Sequence, residues 1–215
     1  MAFVGLAVLL AGCSGPRGKG EDALAMGDGE RASKFLALAL DRDPTDSVLR
    51  RQLGEANLLV ARSRAEDGED KPQDWSKAER EFERAPKADT SYRALLEEAR
   101  FGLARCLLRA GDTDRAEHKL EALLEHRPRA TQARNLLAIV VDRRGDPDRA
   151  AELFLQNTAI DTTDVDAWFN LALVEWNRGR KLVAIDHIVK ASRLAPKDPE
   201  ILWWLERMVR VETGR

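Results

Sequence analysis

Small, apolar and turn-forming residues recur along this chain at a step of thirty-four positions. Gly111, Gly145 and Gly179 are separated by that step, and so are Ala116, Ala150 and Ala184. The pairs Leu103-Ala104, Leu137-Ala138 and Leu171-Ala172 follow it, as do the bulky Leu120, Phe154 and Ile188. Four columns held in register mark a chain built from copies of one unit. Each unit reads as two helices. Small residues (Ala104 with Ala116, Ala138 with Ala150, Ala172 with Ala184) allow the helices of a hairpin to approach closely, and large ones fill the space between successive hairpins.

The turns carry their own signature. Gly111-Asp112-Thr113-Asp114-Arg115-Ala116 and Gly145-Asp146-Pro147-Asp148-Arg149-Ala150 place a glycine where the left-handed conformation ends one helix and an aspartate where the next is capped. Pro147 falls at the first helical position, where its missing N–H costs nothing. Asp46, Asp164 and Asp198 recur at the other junction, ahead of each following helix. The hexapeptide appears again as Gly27-Asp28-Gly29-Glu30-Arg31-Ala32, and Pro44 follows Gly27 at the interval by which Pro128 follows Gly111 and Pro196 follows Gly179. A first unit therefore lies near the start.

The period and the columns resemble the tetratricopeptide repeat (TPR), whose pattern is W-x2-L-G-x2-Y, then A-x3-F, then P. The best copy runs Trp168-x2-Leu171-Ala172, then Ala184-x3-Ile188, then Pro196, with Glu175 where the pattern has an aromatic. The resemblance implies an all-α fold: a right-handed TPR solenoid of antiparallel helix pairs with a C-terminal capping helix. Within an array over 23–198, the repeats fall at about 13–46 (partial), 47–92, 97–130, 131–164 and 165–198, with the capping helix at 199–215. The leading helix of the first repeat is expected to be short, about Glu21 to Met26. Arg64 to Asp74 reads as an acidic insertion projecting as a loop from the second repeat, and Arg93 to Leu96 as an extra turn leading into the third.

The first residues break the pattern. Met1 to Gly12 carry no charge and are mostly apolar, and the boundary is Cys13. The run is too short to span a hydrocarbon core of about 30 Å as a helix and fits the apolar part of a secretion signal. Leu10-Ala11-Gly12-Cys13 resembles the lipobox of bacterial lipoproteins, although no Lys or Arg precedes the run as that family's pattern has it. The resemblance implies a signal peptide over 1–12, lipidation of Cys13, a flexible tether over 13–22, and, with Ser14 rather than Asp next, an outer-membrane anchor facing the periplasm. An apolar amino-terminal helix packed on the repeats is the alternative.

Composition narrows the chemistry. Thirty-five basic and thirty-seven acidic residues are mixed along the chain, leaving no basic stripe for a phosphate backbone, so nucleic acid is not expected as a partner. Cys106, between Leu103 and Leu107, is read as a buried structural thiol. His118, His126 and His187 lie on different helices without metal-ligand spacing and are expected to be exposed or to cap helices. No nucleophile triad, phosphate loop or isolated carboxylate pair stands out, so neither an enzyme nor a cofactor or metal is expected.

Binding is what remains. In TPR arrays the first helix of each hairpin lines a concave groove that holds a peptide or partner helix. Carried onto this chain, that lining comprises Phe101, Arg105, Asn135, Ile139, Phe169, Leu173, Trp176 and Trp203, with Arg51, Glu55 and Asp142 beside them. Trp168, on the pattern's own tryptophan, is expected in the core, while Trp176 and Trp203 are candidates for exposure; Trp203 and Trp204 sealing the last hairpin is the competing reading. The resemblance implies an adaptor or assembly factor for an envelope machine, of the type IV pilus secretin (pilotin-like) or outer-membrane assembly kind. A scaffold docking peptidoglycan enzymes and a self-associating structural lipoprotein are the alternatives.

Overall fold

The computed structural model describes residues 15–84 and 92–213. Cys13 and the apolar run before it, with the lipidation expected there, lie outside the described residues. Every described element is an α-helix: α1 (Pro16–Ala25), α2 (Gly29–Leu40), α3 (Ser47–Glu66), α4 (Pro72–Glu83), α5 (Arg93–Arg109), α6 (Thr113–His126), α7 (Thr131–Arg143), α8 (Pro147–Ile160), α9 (Val165–Asn177), α10 (Lys181–Leu194) and α11 (Pro199–Thr213). The all-α repeat fold expected from the sequence is what these residues form. By packing, the chain divides into two compact units, one ending at Cys106 and one starting at Leu107.

In the first unit α1 packs on α2, α2 on α3 and α3 on α4. Ala23, Ala32, Leu36, Ala39, Leu49, Leu53 and Ala56 form its core. Two expectations are corrected here. Residues 16–22, assigned to a flexible tether, are helical, and α1 starts at Pro16 rather than near Glu21. The reason is Gly20. It is buried, and a Cβ there would lie 2.6 Å from the Leu36 side chain, so the missing side chain is what seats α1 on α2. The Arg64–Asp74 insertion does not project as a loop either. Most of it is absorbed into the end of the twenty-residue α3 and the start of α4, leaving 67–71 between them. Gly68 ends α3 at φ 78°, and Pro72 opens α4 at a position that needs no N–H. The extra turn expected at Arg93 is present, lengthening α5 to seventeen residues.

In the second unit α6 to α11 pack each on the next. The turns have the predicted chemistry. Gly111 and Gly145 hold φ of 81° and 89°. The amide of the following aspartate reaches back into the helix just ended, Asp112 N–H to Leu107 C=O at 2.9 Å and Asp146 N–H to Val141 C=O at 3.2 Å, satisfying carbonyls that a helix end leaves orphaned. The same aspartates accept from Arg115 N–H at 3.2 Å and Arg149 N–H at 3.0 Å. At the other junctions Asp164 caps α9 through Ala167 N–H, and Asp198 caps α11 through Glu200 and Ile201 N–H. Ala116, Ala138, Ala150, Ala172 and Ala184 are wholly buried between helices, and Leu120, Phe154 and Ile188 fill the layers between hairpins. On α11, Ile201 and Met208 turn inward and close the last hairpin.

Acidic residues in the first turn of the second helix of a pair meet an arginine at the end of the next first helix. Glu30 pairs with Arg64 at 2.9 Å in the first unit; Asp114 pairs with Arg144 at 3.1 Å and Asp148 with Arg178 in the second.

Candidate functional site

The candidate lining residues lie on the first helices of successive pairs, and the thirty-four-residue step sets them in rows. In the second unit one row is Asn135, Phe169 and Trp203, from α7, α9 and α11; the next is Ile139, Leu173 and Arg207; the third is Asp142, Trp176 and Arg210. Within each helix the three positions are four and three residues apart and so share a face. Their exposure grades along the array. The six on α7 and α9 are half-buried, whereas Trp203, Arg207 and Arg210 are exposed.

Phe169, Leu173 and Trp176 come together, resting with Trp204 and Leu205 on the cluster built from Ile201, Met208 and Ile188. Trp203 stands outside it, 50% exposed. Its ring meets Trp204 edge-on at 5.0 Å, and the Arg207 guanidinium lies 5.1 Å from one indole and 5.6 Å from the other. Both readings of the tryptophan pair thus apply, one to each residue: Trp204 seals the hairpin and Trp203 is presented to solvent. Trp176 is half-covered, with Lys181 Nζ 5.7 Å from its ring.

Asn135 has a different occupation. Its Nδ2 donates to Asp164 Oδ2 at 2.9 Å, and its Oδ1 accepts from Asn157 Nδ2. Asn157 is wholly buried and also receives Arg134 Nη1 at 3.1 Å. The side chain expected in the groove therefore ties α7, α8 and the cap of α9 together, because a buried amide must find partners. Asp142, one turn from Ile139, is pushed above the usual carboxylate range by burial.

Trp168, expected in the core, is half-buried at its edge, donating from Nε1 to the Thr162 carbonyl at 3.0 Å. Lys190 lies over its ring at 4.3 Å and His187 packs against it at 5.5 Å. His187 departs from expectation. It is half-buried rather than exposed or capping, its Nδ1 has no hydrogen-bond partner, and burial, then Lys190, lower its pKa. His118 and His126 are exposed.

In the first unit Phe101 and Arg105 line a cavity of about 500 Å³ with Arg62, Glu66, Trp75 and Glu98. Its floor is set by Gly102, over which the Trp75 ring lies so closely that a Cβ would stand 2.3 Å from it. Asp70 holds that ring in place, accepting from Trp75 Nε1 at 2.6 Å and from Cys106 Sγ at 2.7 Å. Arg105 leans over the indole at 5.9 Å, and Arg62 grips Glu98 through two bonds of 2.6 Å. Cys106 is buried, as expected, and burial pushes its thiol pKa up. Arg51 and Glu55 pair with each other at 3.4 Å. Sequence reasoning missed Arg62 and Trp75 as neighbours because the lengthened α3 takes them out of the thirty-four-residue register, while Glu98 lies on α5 one turn before the expected Phe101. Among the described residues no cluster of three or more metal-ligating side chains occurs, and no helix is long and apolar enough to cross a membrane.

Residues 72–117 and 101–164 match the tetratricopeptide repeat family model. No curated protein matches the chain in sequence. Among solved structures, the fold is similar to YrrB, described as a TPR protein with an unusual peptide-binding site, at 18% identity over 89% of this chain and 90% of that one, TM-score 0.63. It is similar also to MamA, at 19% identity over 83% and 95%, TM-score 0.60, and to MamA from Desulfovibrio magneticus RS-1, at 19% identity over 86% and 95%, TM-score 0.57. At such identities the likeness is one of fold. The family match and the shared fold support a tetratricopeptide repeat protein.

Proposed function

We propose that this chain is a protein-binding adaptor, held at a membrane by lipid on Cys13, whose first helices receive a segment of a partner protein in the cell envelope. One observation carries the reading. In the second unit an apolar face of Phe169, Leu173 and Trp176 leads to Trp203, a large aromatic left half-exposed. Aromatic side chains with rigid neighbours supply most of the energy of protein interfaces. Ile139 and the guanidinium of Arg207 border the face and fit a mixed, mainly apolar contact. YrrB, a repeat protein of this fold, has a peptide-binding site. The lipid anchor and the assembly of an envelope machine rest on Leu10-Ala11-Gly12-Cys13 and on the resemblance that motif carries.

The test is a photo-crosslinking side chain placed at Trp203 in cells. A discrete crosslinked partner is expected, and Trp203→Ala should lower recovery of that partner about tenfold, as loss of an interface aromatic does, with helical content unchanged. Crosslinks to no protein at all would end the reading. Cys13→Ser should move the protein from the membrane to the soluble fraction; retention in the membrane would refute the anchor while leaving the adaptor reading intact.

A further inference from the structure

The turn between α9 and α10 breaks a rule that three of the other four glycine turns keep, the α3–α4 turn at Gly68 being rewritten by the insertion it carries. Those three read Gly-Asp-x-acid-Arg-Ala: Gly27 to Ala32, Gly111 to Ala116 and Gly145 to Ala150. The turn after α9 reads Gly179-Arg180-Lys181-Leu182-Val183-Ala184. The positions that build the turn are retained, since Gly179 has φ 78° and Ala184 is wholly buried. Those facing outward have changed together. The capping aspartate is Arg180, and α10 has no side-chain cap. The acid that pairs with an arginine is Leu182, 69% exposed, and thirty-four residues after Arg178 the arginine itself is Glu212. Val183 replaces the arginine that follows the acid and is 42% exposed.

These changes cost stability. A lost aspartate cap costs roughly 1 kcal/mol, and an exposed leucine gains nothing by burial. The fold did not require them, because the same backbone carries the acidic sequence elsewhere. The net formal charge of the six residues goes from −1 in each of those three turns to +2 here. Gly179 to Val183 and Glu212 also border a groove of about 560 Å³. Its cations are loosely held: Arg180 Nη1 is 3.7 Å from Glu175, and Lys181 Nζ is 3.9 Å from Glu212, each beyond hydrogen-bond length.

We infer that this turn is a second docking surface, adjoining the aromatic face only where Lys181 lies beside Trp176, and that it takes an acidic, aliphatic segment of a partner protein. The groove receives the aliphatic side chain against Leu182 and Val183, and Arg180 and Lys181 meet the flanking carboxylates. Charge-assisted bonds of that kind are about twice as strong as neutral ones. A bilayer is the poorer occupant. Two cations contribute only about 1 kcal/mol each at an anionic surface, and a flat membrane does not fill a groove.

The test restores the rule. Arg180→Asp with Leu182→Asp and Glu212→Arg rewrites the turn and its partner arginine in the form of the neighbours and supplies the missing cap, so the full-length variant should melt no lower than the parent. Binding is read by fluorescence polarisation with two short labelled peptides, one of leucines set among glutamates and one with lysine in place of every glutamate. The parent should bind the acidic peptide, bind the basic one at least about tenfold more weakly, and lose about tenfold on restoration, a change of 1.4 kcal/mol. Trp203→Ala should leave this binding as it was, so that failure here and failure of the aromatic face are told apart. Equal binding of both peptides, no binding of the acidic one, or no effect of restoration would overturn the inference. It would equally be overturned if restoration abolished binding to phosphatidylglycerol vesicles, or self-association, while leaving the acidic peptide bound.

Discussion

At the scale of single residues, two positions turn packing into measurable numbers. Gly102 has the Trp75 ring against its Cα, and that ring cannot retreat because Asp70 holds its N–H. Gly102→Ala should therefore destabilise by about 1–3 kcal/mol, as overpacking does, even though alanine is the better helix former; urea denaturation checks it. Asp142 is the electrostatic case. Burial raises its pKa, so the folded state binds a proton more tightly than the unfolded one, and stability falls as pH rises from the ordinary carboxylate value through the raised one. Asp142→Asn should thus melt higher than the parent at pH 7, with the gain vanishing below about pH 4, where both states are protonated. A gain that persisted there would remove the electrostatic cause. Neither residue announces its condition in the sequence: Gly102 stands outside the repeated columns, and Asp142 reads as an acid open to the groove until its burial is known.

At the scale of elements, the hairpins were legible almost throughout and the departures came where one residue acts against its type. The glycines at 111 and 145, the aspartate caps and the buried alanine columns follow from spacing alone, because each answers a requirement of the backbone. Asp146→Ala should accordingly cost about 1 kcal/mol in the melting of the second unit, read by calorimetry. The start of α1 was not legible, since Gly20 reads as flexibility in the sequence and acts as close packing in the fold. The acidic run after Arg64 was misread for a related reason: charge and polarity suggested a loop, yet Arg64 pairs with both Glu30 and Asp74, and helix continues through Glu66. In the candidate site, shared faces could be read from the period, whereas the use of Asn135 in a buried amide network could not, because its partner Asn157 occupies a column filled by Leu123 and Ala191 in neighbouring repeats.

At the scale of the molecule, contacts run mainly between neighbouring helices, so stability is a sum over neighbours rather than the property of one core. Within the second unit α11 is covered from one side, by α10 and by side chains of α9, whereas α7, α8 and α9 are each covered on both sides. Amide hydrogen exchange should therefore be fastest in α11 and slowest in α8 and α9, in line with graded local opening; uniform protection would indicate a single cooperative block. The aromatic face proposed for partner binding draws on α9 and α11 together. A bound segment should consequently slow exchange in α11 more than in any other helix of the unit.

The junction of Asp70, Trp75 and Cys106 has one more use. The sequence holds two cysteines, so once Cys13 is serine the remaining thiol is the one sealed against the Asp70 carboxylate. Alkylation there has to wait until the helices part. The rate at which a maleimide reacts becomes a stopwatch for breathing of the first unit, read with no foreign dye in the fold.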